Sequence, residues 1–453
     1  NDWSSTLPDG NNSYFYPSAS VSVILSEMLG MSNGTFLKLR GGWGQVGNDT
    51  DPYALNSFVE FLTNPFGGQL LATESNTLPN ANLLPERAST FEIGADLRLF
   101  NGRMNLDVTY YNTETKNQIL QIPVSQTTGY SQQFINAGAI RSQGVEALLT
   151  FSPVRTRDFN WDVNVNFTLN RSKVLSLAEG LQTQQLNGNY LQVLAKVGER
   201  MGDVYGTGFV LVDTETNQRV TVDDVEDIKP TYANLYDASG FPVRDPNLRR
   251  LGNYNPDWLA GIYNTLSYKG LSLGFLLDGR VGGVVMSRTL LIGGTSGMMA
   301  ETAQFDRQTG TFIGGVTRVD GVSELDRAGV KEVLDGEGNG TGTYVTNDTE
   351  LSARDFYWSH FNRGNEQVGM YDASFLKLRE VRLGYNFPKS IVSKMGAQRI
   401  SVSLVGRNLL LWTENPHFDP EVFSFNRNAI VPGVEDMATP SSRSYGVNLN
   451  VTF

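Results

Sequence analysis

Few residues in this chain are suited to chemistry, and they do not converge. Asp335-Gly336-Glu337-Gly338-Asn339-Gly340 imitates the opening of a calcium loop, with side-chain oxygens spaced by glycines. The twelfth position of such a loop is a bidentate glutamate. Here it is Thr346, so the stretch reads as a flexible acidic loop. His360 and His417 are the only histidines; they lie far apart, in predicted connections, without ligand spacing. The absence of cysteine excludes disulfides, thiolate metal centres and a cysteine nucleophile. No glycine-rich phosphate loop and no serine nucleophile elbow appears. Asp223, Asp224, Glu226 and Asp227 read as a solvated loop face. One cluster offers recognition chemistry. Phe356-Tyr357-Trp358, with Arg354 and Arg363 nearby, supplies flat rings and guanidiniums that stack on and hydrogen-bond a sugar or a peptide. Arg354, Tyr357, Trp358 and Arg363 are therefore the candidate contact residues, against the alternative that loop aromatics pack locally. No catalytic, cofactor-binding or metal-ligating residue is assigned, and no enzyme is expected.

The elements that would position this cluster are strands. In Phe159–Asn170 the odd positions carry Trp161, Val163, Val165, Phe167 and Leu169, and the even positions carry Asn160, Asp162, Asn164, Asn166, Thr168 and Asn170. Successive strand side chains point to opposite faces, so one face is wholly apolar and the other wholly polar. The length suits a tilted membrane-crossing strand of roughly 9–11 residues. The pattern recurs at Tyr14–Leu25, Thr35–Gly47, Arg87–Phe100, the strand returning from Asn101-Gly102, Phe134–Phe151, Trp258–Tyr268, Leu271–Val285, Tyr371–Phe387, Gln398–Leu410 and Tyr445–Phe453. Asn101-Gly102 and Lys269-Gly270 read as tight hairpin turns. In Tyr371–Phe387 the apolar phase slips by one near Arg379-Glu380, which a β-bulge explains.

The connections between these strands alternate short and longer, with the one at about 117–132 only moderate in length. The long ones cover about 48–86, 172–256, 286–370 and 411–442. Strict alternation is the habit of a transmembrane β-barrel with short periplasmic turns and long extracellular loops. Aromatics near strand ends, among them Tyr110, Trp258, Tyr385 and Phe453, suit interfacial girdles. No apolar run approaches the roughly 18 residues of a spanning helix. The net charge of −11 argues against nucleic acid as a partner. The expected fold is thus all-β, a transmembrane antiparallel β-barrel with about eleven strands in this chain. An odd count whose last strand ends on the short-turn side reads as the second half of a larger barrel. Glu92, Asp96, Arg98, Asp107, Asp162, Asp278 and Arg280 are inferred lumen residues.

Several stretches, in order, resemble the SusC/RagA class of TonB-dependent outer-membrane transporters of Bacteroidota. They include Phe36-Leu37-Lys38-Leu39-Arg40 with Gly44-Gln45-Val46-Gly47-Asn48, Asn136-Ala137-Gly138 through Glu146, and Leu251-Gly252-Asn253-Tyr254-Asn255-Pro256-Asp257-Trp258. Asp372-Ala373-Ser374-Phe375-Leu376-Lys377-Leu378-Arg379, Leu383-Gly384-Tyr385-Asn386-Phe387-Pro388, Gly406-Arg407-Asn408-Leu409, Phe418-Asp419-Pro420-Glu421-Val422 and the closing Arg443-Ser444-Tyr445…Phe453 complete the set. The resemblance implies a plugged barrel of about 22 strands, of which residues 1–453 are the C-terminal part, without plug or TonB box. It implies TonB-dependent import of oligosaccharides or peptides across the Gram-negative outer membrane, under a SusD-like surface lipoprotein that serves as lid. Outer-membrane lipid and lipopolysaccharide are the expected surroundings. Arg244-Asp245-Pro246-Asn247-Leu248 departs from the Asp-x-Asn-Gly-Asp-Gly type loop of many members, so no ion site is carried over. Tyr445 and Phe453 resemble the terminal signal read by the outer-membrane assembly machinery. Alternatives are a passive porin, which needs neither partner nor energy, and a soluble glycan-binding β-protein.

Overall fold

The alternating stretches fold into eleven long antiparallel strands in a computed structural model of the chain. Residues 1–453 are described except 32–33, 53, 63, 188–190, 304–310, 314–328, 362–364, 423 and 427–428. The strands fall in two compact units: one of residues 1–156, 160–184 and 195–201, the other of residues 157–159, 185–194 and 202–453.

The first unit carries β1 (Ser18–Ile24), β2 (Phe36–Asn48), β3 (Glu86–Leu99), β4 (Met104–Lys116), β5 (Ala139–Arg155) and β6 (Phe159–Ser176). Each pairs antiparallel with the next, an up-and-down meander. The register sets Val145, Ala147, Leu149 and Phe151 opposite Leu169, Phe167, Val165 and Val163, so one face is a continuous apolar sheet. On the other face Thr150 donates to Asn164 at 3.1 Å. Three expectations are corrected. The first strand ends at Ile24, because Leu25–Met28 form a helical turn. The stretch expected over Phe134–Phe151 is two elements: Gln132–Asn136 pairs with Ile119–Pro123, and the chain turns at Gly138 (φ +82°) before β5 starts. The β3–β4 turn spans four residues, 100–103, not two, with Phe100, Asn101 and Gly102 all at positive φ. Arg103 closes the turn, its N–H donating to the Phe100 carbonyl at 3.3 Å, while its guanidinium donates to the carbonyls of Ser152 and Pro153, at 3.1 and 2.7 Å.

Tyr111 lies over the strand glycine Gly144 on the polar face. A Cβ at residue 144 would fall 2.2 Å from the Leu169 carbonyl oxygen and 2.6 Å from the Tyr111 hydroxyl. The first clash is with backbone of the neighbouring strand, which cannot rotate away. Gly144→Val is expected to cost at least the ~1–3 kcal/mol of an overpacked site. Heat-modifiable gel mobility checks this: the folded fraction falls against wild type, whereas an equal folded fraction would contradict it.

The second unit carries β7 (Trp258–Tyr268), β8 (Leu271–Val281), β9 (Phe375–Asn386), β10 (Arg399–Trp412) and β11 (Ser444–Thr452), again a meander. Lys269 (φ +46°) and Gly270 (φ +91°) make the expected two-residue turn, whose left-handed pair matches strand twist. The expected bulge is present. Leu276 faces Glu380 and Leu277 faces Leu378, which leaves Arg379 as the extra residue of β9.

The section at about 286–370, expected to be irregular, carries strands and helices among its described residues. Leu191, Val204, Leu251, Met286, Leu290, Phe356, Tyr371 and Val434 come together in one buried cluster. Full burial of each large apolar side chain contributes about 1.5–3 kcal/mol. Two helices support it, α1 (Arg288–Ser296) and α2 (Ala353–His360), N-capped by Ser287 and Ser352. A second small sheet joins Leu211–Asp213, Tyr232–Tyr236 and Val330–Leu334 over Val212, Leu235 and Val330. In the first unit the section at about 48–86 holds the hairpin of Val59–Phe61 with Ala72–Glu74. Among the described residues no helix is long and apolar enough to cross a membrane; the long elements are strands.

Candidate functional site

The polar face of the long strands carries the charged residues that alternation placed there. In the first unit Arg40 reaches Asp107 bidentately, at 2.7 and 2.6 Å, and also donates to Thr109. It does so by lying across Gly94, where a Cβ would stand 2.8 Å from the guanidinium carbon. Arg98 pairs with Asp96 at 3.0 Å, and Asp162 accepts from Ser152. Arg280, also among the inferred lumen residues, plays a different part. It is buried and donates to the Tyr254 carbonyl at 2.7 Å, fixing the Asn253–Asn255 turn.

The densest charge in the second unit is a clasp at the end of β9 nearest the long connections. The bulge residue Arg379 donates to Asp278 on β8 and to Glu421 in the connection after β10. Two residues earlier, the Lys377 ammonium contacts both oxygens of Asp419, at 2.6 and 2.8 Å, and Glu421 at 2.5 Å. The Lys377 side chain is only 5% exposed and also sits 4.5 Å above the Phe375 ring. Burial pushes the Glu421 carboxyl up, but hydrogen bonds and charge from Arg379 and Lys377 outweigh it and hold the group below the ordinary range. Asp-Ala-Ser-Phe-Leu-Lys-Leu-Arg and Phe-Asp-Pro-Glu, distant in sequence, are thus the two halves of one contact. The residues were legible as motifs, but nothing in their spacing showed that they meet.

The other candidate residues divide. Arg354 and Trp358 stand one turn apart on the exposed side of α2, and Trp358 is 53% exposed. Tyr357 is buried, 5% exposed, its ring 5.2 Å from Phe356 and 5.9 Å from Phe361. Helical phase separates neighbours that the sequence presents as one run. Arg363 lies outside the described residues. His360 is fully enclosed. Its Nδ1 donates to the Phe356 carbonyl at 2.8 Å, so its Nε2 accepts from the Tyr236 hydroxyl at 3.1 Å. Burial pushes the imidazole down to about 4. The Asp335 carboxylate is engaged by its own turn, accepting from the backbone of Glu337 and Asn339 at 2.9 and 2.8 Å. Those bonds, that of Asn339 foremost, hold it below the usual range. Tyr445 and Phe453 are 77% and 80% exposed at the two ends of β11.

An apolar outer face, a polar and charged inner face, and short turns on one side against folded connections on the other define an outer-membrane β-barrel protein. A family model described as TonB dependent receptor-like, beta-barrel, matches residues 1–204. TonB-dependent receptor P26 of Formosa agariphila is 30% identical over all of this chain and 44% of its own length. TonB-dependent receptor SusC of Bacteroides thetaiotaomicron is 26% identical over 53% of this chain and 24% of its own. The structure of the RagAB peptide transporter superposes with a TM-score of 0.70 at 20% identity, over all of this chain and 45% of that one. The chain is thus similar along its whole length to TonB-dependent receptors, and its first 204 residues match their β-barrel. It spans less than half the length of the relatives it matches throughout.

Proposed function

We propose that this chain is the C-terminal part of a plugged barrel that imports oligosaccharides or peptides across the outer membrane, energised through TonB and capped by a SusD-like lipoprotein. The observation that carries this reading is the likeness to TonB-dependent receptors along the whole chain, joined to connections that fold into a cored cluster. A packed platform on the long-connection side suits a lid. RagAB, whose structure superposes on this chain, is described as a peptide transporter, which keeps peptides beside glycans as cargo. Arg354 and Trp358 form the exposed part of the contact surface; Arg363 and the inward Tyr357 complete the proposed set. The deciding experiment extracts the native complex from outer membrane in mild detergent and measures intact mass, bound partners and TonB-dependent uptake. A polypeptide about twice this size with a bound lipoprotein supports the proposal. A mature chain of this length that extracts alone overturns it.

Within the same reading, Tyr445 and Phe453 are the assembly signal. Deleting Phe453 is expected to lower the amount of folded barrel in the outer membrane without changing synthesis. Quantitative immunoblotting of membrane fractions checks this, and unchanged levels would count against it.

A further inference from the structure

The polar face of β7–β11 is not evenly polar. Towards the short-turn ends lies a recess of about 400 Å³, walled by β7, β8, β9, β10 and β11. Gly274 and Gly384, both buried, form part of its wall. Tyr263 leans over Gly274, its hydroxyl 2.7 Å from where a Cβ would be. Two cations look into it, Arg382 from β9 and Arg399 from β10. Among the described residues no aspartate or glutamate lines the recess, although the chain as a whole carries a net charge of −11. Arg399 donates to the Asn386 amide oxygen at 3.1 Å, and Arg382 has no carboxylate partner among the described residues. The contrast with the clasp is direct. There two cations are answered by three carboxylates; here two guanidiniums and a set of hydroxyl and amide groups have none.

We infer that this recess is a carboxylate-binding site on the inner wall of the barrel. Guanidiniums present planar donor pairs that match a carboxylate bidentately. Ser401, Ser403 and Asn450 add neutral donors around the same space. The carboxylate has two possible sources: an acidic side chain of the same polypeptide reaching into the barrel, or a diffusing acidic solute. The inference rests on the barrel reading of the polar face and not on the identity of any cargo.

The test uses the full-length protein purified from outer membrane, with triglutamate as the soluble probe. A photo-crosslinker, p-benzoylphenylalanine, replaces Ser403 in a parallel preparation. If the source is a solute, calorimetry at low salt shows saturable binding of triglutamate. That binding weakens about tenfold or more in Arg382→Gln/Arg399→Gln and is largely retained in Arg382→Lys/Arg399→Lys. If the source is the chain itself, triglutamate does not bind, and Ser403-site cross-links map to an acidic segment of the same polypeptide and disappear in the Gln variant. Either pattern supports the site. Absence of both, or binding and cross-linking that ignore the two arginines, overturns it. Heat-modifiable mobility confirms that each variant is folded. A failed uptake experiment would sink the import reading and leave anion binding in place, so the two failures are distinguishable.

Discussion

Lys377→Met is expected to free the connection after β10 from the barrel wall. Lys377 is the buried cation between Asp419 and Glu421, and its side chain and that of Asp419 are both nearly enclosed. Methionine fills similar volume but removes the charge, leaving Asp419 without a cation and Glu421 with Arg379 alone. Breaking a buried pair by removing one partner costs about 3–5 kcal/mol, because the other charge stays desolvated. Part of that cost is relieved if the connection lifts into water, so the change is read as local opening, not barrel unfolding. Hydrogen exchange of the amides around 413–422 should accelerate by two or more orders of magnitude, while β8 and β9 hold their protection. Lys377→Met combined with Asp419→Asn should recover part of the loss, since the stranded carboxylate is gone. Exchange that stays at the wild-type rate in the single variant would mean the clasp does not hold the connection.

Acid should open the cored cluster through His360. In the folded protein this imidazole is pushed down to about 4, against an ordinary 6.5, because its site is fully buried among Phe356, Phe209 and Tyr236. The unfolded segment therefore binds a proton that the folded one refuses. Stability is fully present above pH 6.5 and falls as pH drops from there towards 4. The full loss is about 3 kcal/mol, at roughly 1.4 kcal/mol per pH unit. The exposed Trp358 on the same helix reports it by fluorescence. A His360→Phe variant keeps the stacking but cannot titrate, so its cluster should show a flatter stability profile between pH 7 and 4.5. Identical profiles for variant and wild type would remove His360 as the cause.

Period-two alternation made the long strands legible, since a strand that faces lipid on one side and water on the other has no other way to be written. Even the Arg379 bulge was visible, as a one-residue slip between Leu378 and Val381. The cored cluster was not. Its strands are short, some of only three residues, and their partners are remote; Leu235 pairs in parallel with Val330 across nearly a hundred residues. No local period encodes such pairing. The same limit hid the clasp, where Lys377 meets Asp419, and the recess, where Arg382 and Arg399 come together from two strands. The aromatic run of α2 was read without helical phase, which buries Tyr357 and leaves Trp358 exposed.

The bulge in β9 carries a consequence for how this wall can change over evolutionary time. Outward residues are even-numbered before it, at Leu376 and Leu378, and odd-numbered after it, at Val381, Leu383 and Tyr385. It acts like a compensated frameshift: the same residues in a strand without the bulge would hold the two halves in conflicting phases. Either Lys377 and Arg379 would then turn to the bilayer, or Arg382 would. Single-residue insertions and deletions away from the bulge should therefore be purged from this strand, while the connections on either side can lengthen, shorten and diversify freely.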